Sequence, residues 1–365
     1  MGWIRSYNPS NVLVPDGEKV RALVDSTCSY LADHHLQCPV DCIILTSGAS
    51  ESNSSAILTT VTHSPADHRH IVSSVDEHSS IAHAIDEAHE YFGAGVTYVT
   101  PDLETGLISA ASVAAAVRPD TCLVSIIHAQ NETGAINDAA AIAAAVRAKN
   151  PETFIHFDCT QSFAKRRLTI QSLGNPDIVS ASVHKFHGLK GCGIMYASPA
   201  IRQKIKFASL IKGTQFGGLR GGTENVMAIA SIIPALKYTF REGETERVGI
   251  LTQHLWRKMR EMCDRHQFQF RVHGPPQNRP DRRLPNTLFV TCPGAKLCSF
   301  GMVKFFADRG IDIGAGSACR QNEHEKPLKN MPDHSVRISL GHEATMADCD
   351  QFLAAFTEFL ANQTQ

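Results

Sequence analysis

The sequence predicts an α/β protein: a large domain on a mostly parallel, seven-stranded sheet sandwiched by helices, followed by a smaller α+β domain. Three observations predict it. Seven short apolar runs between residues 40 and 200 alternate with helical patterns. The pattern then changes after Gly222, where long helical stretches and only two further strand-like runs follow. Finally, 365 residues are too many for one compact core and suit two domains.

The seven runs are 43–46, 70–73, 96–99, 122–128, 154–158, 177–181 and 192–196. Amphipathic or Ala-rich stretches of helical length, such as 80–91 and 139–149, lie between several of them. Strands that alternate with helices pair in parallel, and such sheets take ligands at the carboxyl ends of their strands. Past Gly222 come a helical stretch (225–240), a charged helix (244–266) and a Pro/Arg-rich loop (274–285). A strand (287–292), a helix (299–309), a second strand (335–340) and a final helix from Ala344 complete the chain. The expected division is an N-terminal segment 1–14, a large domain 15–235 and a small domain 236–365.

Composition excludes several classes of function. The chain has 35 Lys and Arg against 36 Asp and Glu, so no charge surplus points to nucleic acid or an anionic membrane. No segment reaches the ~18 apolar residues of a membrane helix. The eleven cysteines are odd in number and diluted through a large chain with no signal peptide ahead of them. They read as reduced thiols, and the expected location is cytoplasmic. No Gly-x-Gly-x-x-Gly turn follows a strand, and no phosphate loop ending in Gly-Lys-Ser/Thr exists. His324-Glu325 and His342-Glu343 lack the second histidine of a zinc-protease helix, and Cys38 and Cys42 lack a second pair. No metal is expected.

Seven stretches carry the chemistry. Ser182-Val183-His184-Lys185 follows the apolar run ending at Ala181. A lysine at the end of a buried strand is costly unless used, and desolvation lowers its pKa from ~10.4 and makes it an imine-former. A surface lysine in a loop is the other reading. Thr46-Ser47-Gly48-Ala49-Ser50-Glu51 offers small residues at a strand-to-helix turn, which suits a phosphate; a plain N-cap by Ser47 or Ser50 would also explain it. Asp158 ends another strand, placed either for a protonated ring nitrogen or as a helix cap. His78 follows the strand 70–73 and is placed to stack on a ring, and His128-Ala129-Gln130-Asn131 ends a fourth strand with polar groups. Cys319 lies in a loop of small residues beside Arg320, which favours its thiolate; a buried structural cysteine is the alternative. Arg337 interrupts an apolar strand, for a substrate carboxylate or an internal salt bridge.

Together these stretches resemble the cysteine desulfurase and selenocysteine lyase group of class V aminotransferases, with the type I fold of pyridoxal phosphate enzymes. The resemblance rests on Thr-Ser-Gly-Ala-Ser-Glu-Ser-Asn (46–53), Glu-His-Ser-Ser (77–80), Asn-Glu-Thr-Gly (131–134), Asp-x-x-Gln (158–161), His-Lys-Phe (184–186), Gly-Gly-Thr-Glu-Asn (221–225) and Gly-Ser-Ala-Cys (316–319). It implies that the large domain binds pyridoxal 5′-phosphate as a Schiff base on Lys185. It further implies that His78 stacks on the ring, Asp158 pairs with the ring nitrogen, and Asn131 and Gln161 contact the phenolic oxygen. Ala49, Ser50, Ser182 and His184 would hold the phosphate, with Thr223 reaching it across a homodimer interface. Arg337, with Asn131, would grip the substrate carboxylate. Cys319 would take sulfur or selenium from L-cysteine or L-selenocysteine, leaving alanine and an enzyme persulfide for a sulfur acceptor that the sequence does not identify.

Departures from the family pattern set the alternatives. Ser50 replaces the usual Thr and keeps the hydroxyl. Val183 replaces Gly and adds bulk beside the phosphate loop, and Arg320 follows the cysteine where a small polar residue is commoner. The opening strand usual before the Asn8-Pro9-Ser10 motif is missing, which weakens the expectation of activity more than that of cofactor binding. The alternatives are a related β-lyase or aminotransferase that does not need Cys319, and a non-catalytic dimeric homologue.

Overall fold

Apolar side chains at alternating strand positions need cover on both faces, and helices supply it. The computed structural model describes residues 8–207, 209–315 and 334–364, which form two compact units. One unit holds the described residues up to Thr100, then Ile108–His128 and Asn137–Phe240. The other holds Pro101–Leu107, Ala129–Ile136 and the described residues from Arg241 onward.

The first unit contains α1 (Pro15–Leu31), β1 (Ile43–Thr46), α2 (Ala49–His63), β2 (His70–Ser74), α3 (Ser79–Phe92), β3 (Gly95–Val99), α4 (Ala110–Ala116) and β4 (Thr121–Ile127). It continues with α5 (Ala139–Lys149), β5 (Phe154–Asp158), β6 (Ile178–Ser182), β7 (Gly193–Ala197), α6 (Pro199–Ile205), α7 (Val226–Ala230) and α8 (Ile232–Thr239). Its seven strands run in the order β1-β7-β6-β5-β4-β2-β3. The pairs from β3 to β6 are parallel, and β7 is antiparallel to both of its neighbours. The mostly parallel seven-stranded sheet expected from the sequence is therefore present.

Successive strand residues point to opposite faces, so Val124 and Ile126 pack with Ile142 and Val146 of α5 on one side. Leu123 packs with Ile57 of α2 and with Ile81 and Ile85 of α3 on the other. Each such side chain stabilises the fold by about 1.5–3 kcal/mol. Caps set the helix starts: Asp138 accepts from Ala141 N–H at α5, and Ser198 from Ile201 N–H ahead of Pro199 at α6. Because β1, β2, β4, β5 and β6 share one direction, Thr46, Ser74, Ile127, Asp158 and Ser182 end at one edge of the sheet.

The second unit contains α9 (Glu244–Arg265), β8 (Arg271–His273), β9 (Thr287–Thr291), α10 (Ser299–Ala307), β10 (Ser335–Ser339) and α11 (Met346–Thr364). Its strands form an antiparallel sheet in the order β10-β9-β8. Leu288, Val290, Val336 and Ile338 share an apolar cluster with Leu255 and Met259 of α9, Phe306 of α10, and Phe352 and Phe356 of α11. Among the described residues, no helix is long and apolar enough to cross a membrane.

Candidate active site

The polar carboxyl edge of the large sheet is organised around Asp158. This residue is 2% exposed at the end of β5. Its Oδ2 accepts from Asn53 Nδ2 (2.9 Å) and its Oδ1 from Thr160 N–H (2.9 Å). It caps no helix, so the helix-cap reading of this position does not apply. Asn53 is a fully buried amide of α2 whose Nδ2 also donates to Ser80 Oγ (3.0 Å). Ser80 Oγ lies 2.8 Å from His78 Nδ1, which also accepts from Ser80 N–H and caps α3. An Nδ1 that accepts a backbone N–H carries no proton, so the imidazole holds its proton on Nε2. A continuous hydrogen-bonded path thus joins His78 to Asp158.

Two neighbouring histidines are spoken for. His156 sits mid-strand between Ser125 Oγ and Ser180 Oγ (2.9 Å each), and burial pushes it down to about 4. His128 faces Ser162 Oγ (2.8 Å) and burial likewise pushes it down to about 4. Both imidazoles are neutral spacers in the core. Gln130 is spent locally, since its Oε1 caps the turn by accepting from Glu132 and Thr133 N–H.

The turn after β6 corrects one expectation. Lys185 is exposed, not buried. The tight turn Val183–Phe186 spaces its residues so that Val183 and Phe186 enter the core, while His184 and Lys185 face outward. Three residues complete one turn of this geometry, which puts positions 183 and 186 on one side. The same geometry disposes of the bulk at Val183, whose side chain is enclosed in the core beneath the loop. Ser182 Oγ and His184 Nδ1 lie 3.0 Å apart. Burial first, then Lys185 and Lys190, lowers the His184 imidazole below its ordinary value.

Ala49 and Ser50 open α2, where neither Ser47 nor Ser50 acts as the cap: the N-cap is Gly48, with no side-chain cap bond. The loop presses onto β7, because a Cβ on Gly193 would stand 2.5 Å from Gly48 C and Thr46 Oγ1. Glu51 accepts from Ser47 N–H (2.7 Å) and takes the Arg220 guanidinium in a two-pronged pair (2.9 and 3.1 Å). That pair ties the segment carrying Thr223 to α2. Glu224 holds the far side through Arg21 (2.8 Å), and Thr223 itself is exposed. Gln161 accepts from Lys165 Nζ (2.8 Å).

The second unit carries Asn131 and Arg337. Arg337 Nη1 donates to the Asn131 carbonyl (2.9 Å), and its buried Nε has no partner. Burial lowers this guanidinium below its ordinary value, opposed by Glu132. Cys319 and Arg320 lie outside the described residues. Among the described residues no group of three or more metal-binding side chains converges, and the ten cysteines are free thiols.

Sequence reasoning missed Asn53, Glu77, Ser80 and Thr160 as members of this edge. All four lie within the motifs 46–53, 77–80 and 158–161, but nothing in those motifs showed that their side chains gather around Asp158. Three of them keep a buried polar atom without a partner: Asn53 Oδ1, Glu77 Oε2 and Thr160 Oγ1. Unpaired buried atoms gathered about one acid mark a place where a polar ligand belongs.

A family model described as aminotransferase class-V matches residues 32–352. The chain is 29% identical to the selenocysteine lyase of Bos taurus, over 94% of this chain and 84% of that one. It is 30% identical to the cysteine desulfurase IscS of Acinetobacter baumannii (strain AYE), over 85% of this chain and 75% of that one. A solved NifS-like protein superposes with a TM-score of 0.84 at 25% identity, covering 99% of this chain and 93% of its own.

Proposed function

We propose, from the premise that this chain belongs to the class V aminotransferase family, that it removes sulfur or selenium from L-cysteine or L-selenocysteine, releasing L-alanine. The observation that carries this reading is the enclosed Asp158, fixed by Asn53 and Thr160 and joined to His78 by hydrogen bonds. Enzymes of this family depend on pyridoxal phosphate, which when bound supplies an electron sink for a carbanion at the amino-acid Cα.

The residues present fit that group. Asp158 would hold a proton on the ring nitrogen, and His78 would lie on the ring face with its orientation set by Ser80. Asn131 and Gln161 would meet the phenolic oxygen. The uncapped start of α2 at Ala49 and Ser50, with Ser182 and His184, would take the phosphate, since a helix N-terminus favours an anion. Thr223 would complete this cradle from a second copy in a homodimer, and its exposure supports that role. Lys185 would bind the cofactor aldehyde and, once displaced, accept the Cα proton. Lys185 faces outward from its turn, so the bound cofactor and substrate, rather than the fold alone, would supply the desolvation that makes it an imine-former.

Arg337, with one nitrogen unpaired, would receive the substrate carboxylate. The Cys319 thiolate would then attack the substrate sulfur. A new S–S bond forms as the Cβ–S bond breaks, and the electron pair stays with the carbon fragment, which is protonated to alanine. Selenium leaves more readily than sulfur, so the likeness to selenocysteine lyase supports a second reading in which Cys319 is dispensable. One experiment tests both. After L-cysteine is added, mass spectrometry should find one extra sulfur on the peptide carrying Cys319, lost in Cys319→Ala. Undiminished sulfide or selenide release by Cys319→Ala, with alanine still formed, would overturn the persulfide route.

A further inference from the structure

Glu77 lies just beyond β2 and one residue before His78, and its carboxyl turns inward. Oε1 accepts from Ser74 Oγ (2.8 Å) and from Ile127 N–H (3.0 Å), so it bridges the turn after β2 to the last residue of β4. Oε2 is equally buried and has no partner. Asp158, at the end of the adjoining β5, has a donor on each oxygen. The two acids interact electrostatically. Two buried carboxylates repel one another, and the one with a bare oxygen is the one that keeps a proton.

We propose that Glu77 is a positioning residue that works as a neutral acid. Its Oε1 braces the His78 turn against β4, and its proton, on Oε2, leaves the negative charge of the pair on Asp158. This inference deepens the cofactor reading above and rests on it for its purpose. The surroundings agree. Burial pushes the Glu77 carboxyl up to about 8, with Asp158 and Asp76 adding to the effect and the Ile127 and Ser74 donors opposing it. On β3, the Tyr98 phenol is raised by burial first, then by Asp86 and Glu77. β4 offers the Ile127 N–H, and His156 on β5 is kept neutral by burial.

An acid that is protonated when folded and ionised when unfolded stabilises the fold most below its ordinary value of 4.5. That stability drains as pH rises and is gone above about 8. Glutamine reproduces the neutral acid in shape and cannot ionise. The stability of the wild-type chain relative to Glu77→Gln should therefore fall with pH across this window and level off above it.

Three measurements decide the matter. Infrared spectra at about pH 6 should show a protonated-carboxyl stretch in the wild-type chain that Glu77→Gln lacks. Thermal unfolding against pH, without added cofactor, should show the sloping difference just described. Pyridoxal phosphate titration should find Glu77→Gln within about threefold of wild type and Glu77→Ala at least about tenfold weaker, because alanine removes the brace. A stretch that survives in Glu77→Gln, a flat stability difference, or equal loss of cofactor affinity in both variants would each overturn the proposal. Should Glu77→Ala not fold, the comparison of wild type with Glu77→Gln still decides it. Failure of the wild-type chain to take up pyridoxal phosphate would sink the cofactor reading alone, since the first two measurements need none.

Discussion

The ends of two neighbouring strands, β5 and β6, solve opposite problems. At the end of β5, Asp158 is enclosed, with each oxygen held by a named donor and its partner Asn53 fully buried. At the end of β6, the chain turns so that apolar Val183 and Phe186 go inward and Lys185 goes out. The acid is fixed inside the fold, whereas the lysine stands at its surface. A group that only has to hold a charge in place gains from rigidity. In the proposed function Lys185 must form a bond, release it and carry a proton, which asks for a side chain that can change position.

That contrast breaks if the two positions respond alike to substitution. Lys185→Ala should give the largest functional loss, roughly 10³-fold or more in turnover together with loss of the visible Schiff-base absorbance. Its unfolding free energy should change by only about 0.5 kcal/mol, because the side chain is exposed. Asp158→Ala should hurt both properties: turnover falls roughly 10²-fold, and each buried donor left bare costs about 1–3 kcal/mol in denaturant unfolding. Equal stability losses in the two variants would erase the distinction.

The smallest effect sharpens the picture at α2. Burial pushes the Glu51 carboxyl up, but the bonds from Arg220 and Ser47 outweigh it and hold it below its ordinary value of 4.5. The stability it contributes is present above that value and lost as pH falls through the lowered one. Glu51→Gln should remove about 1 kcal/mol near neutral pH and flatten the acid limb of the melting-temperature profile.

Much of this was legible in the residues. The apolar runs became strands with ends within a residue or so of those expected, and the helices 139–149 and 244–265 formed as their periodicity required. Helix α1 drew no notice because its apolar positions are thinly spaced among polar ones, and three-residue β8 is too short to show a period. The direction of β7 was invisible, since a strand buried on both faces reads the same in either sense. Asn53 and Glu77 escaped because a polar residue in a helix or turn ordinarily faces water. Their burial depends on which strand ends lie beside them. Chain order also hid the fact that Ala129–Ile136, with Asn131, packs with the later unit. Leu284 N–H bonds the Gly134 carbonyl and Ile136 N–H the Arg282 carbonyl, contacts between segments far apart in sequence.

The antiparallel strand has a consequence for biosynthesis. Among the described strands of the large sheet, β1 emerges from the ribosome first, yet its sole partner is β7, the last of them made. Until β7 has been translated, β1 has no ladder to join and the turn leading into α2 has no floor of glycine beneath it. The corner at the start of α2 is thus completed by the closing step of sheet assembly, and a nascent chain halted before residue 193 would lack it entirely.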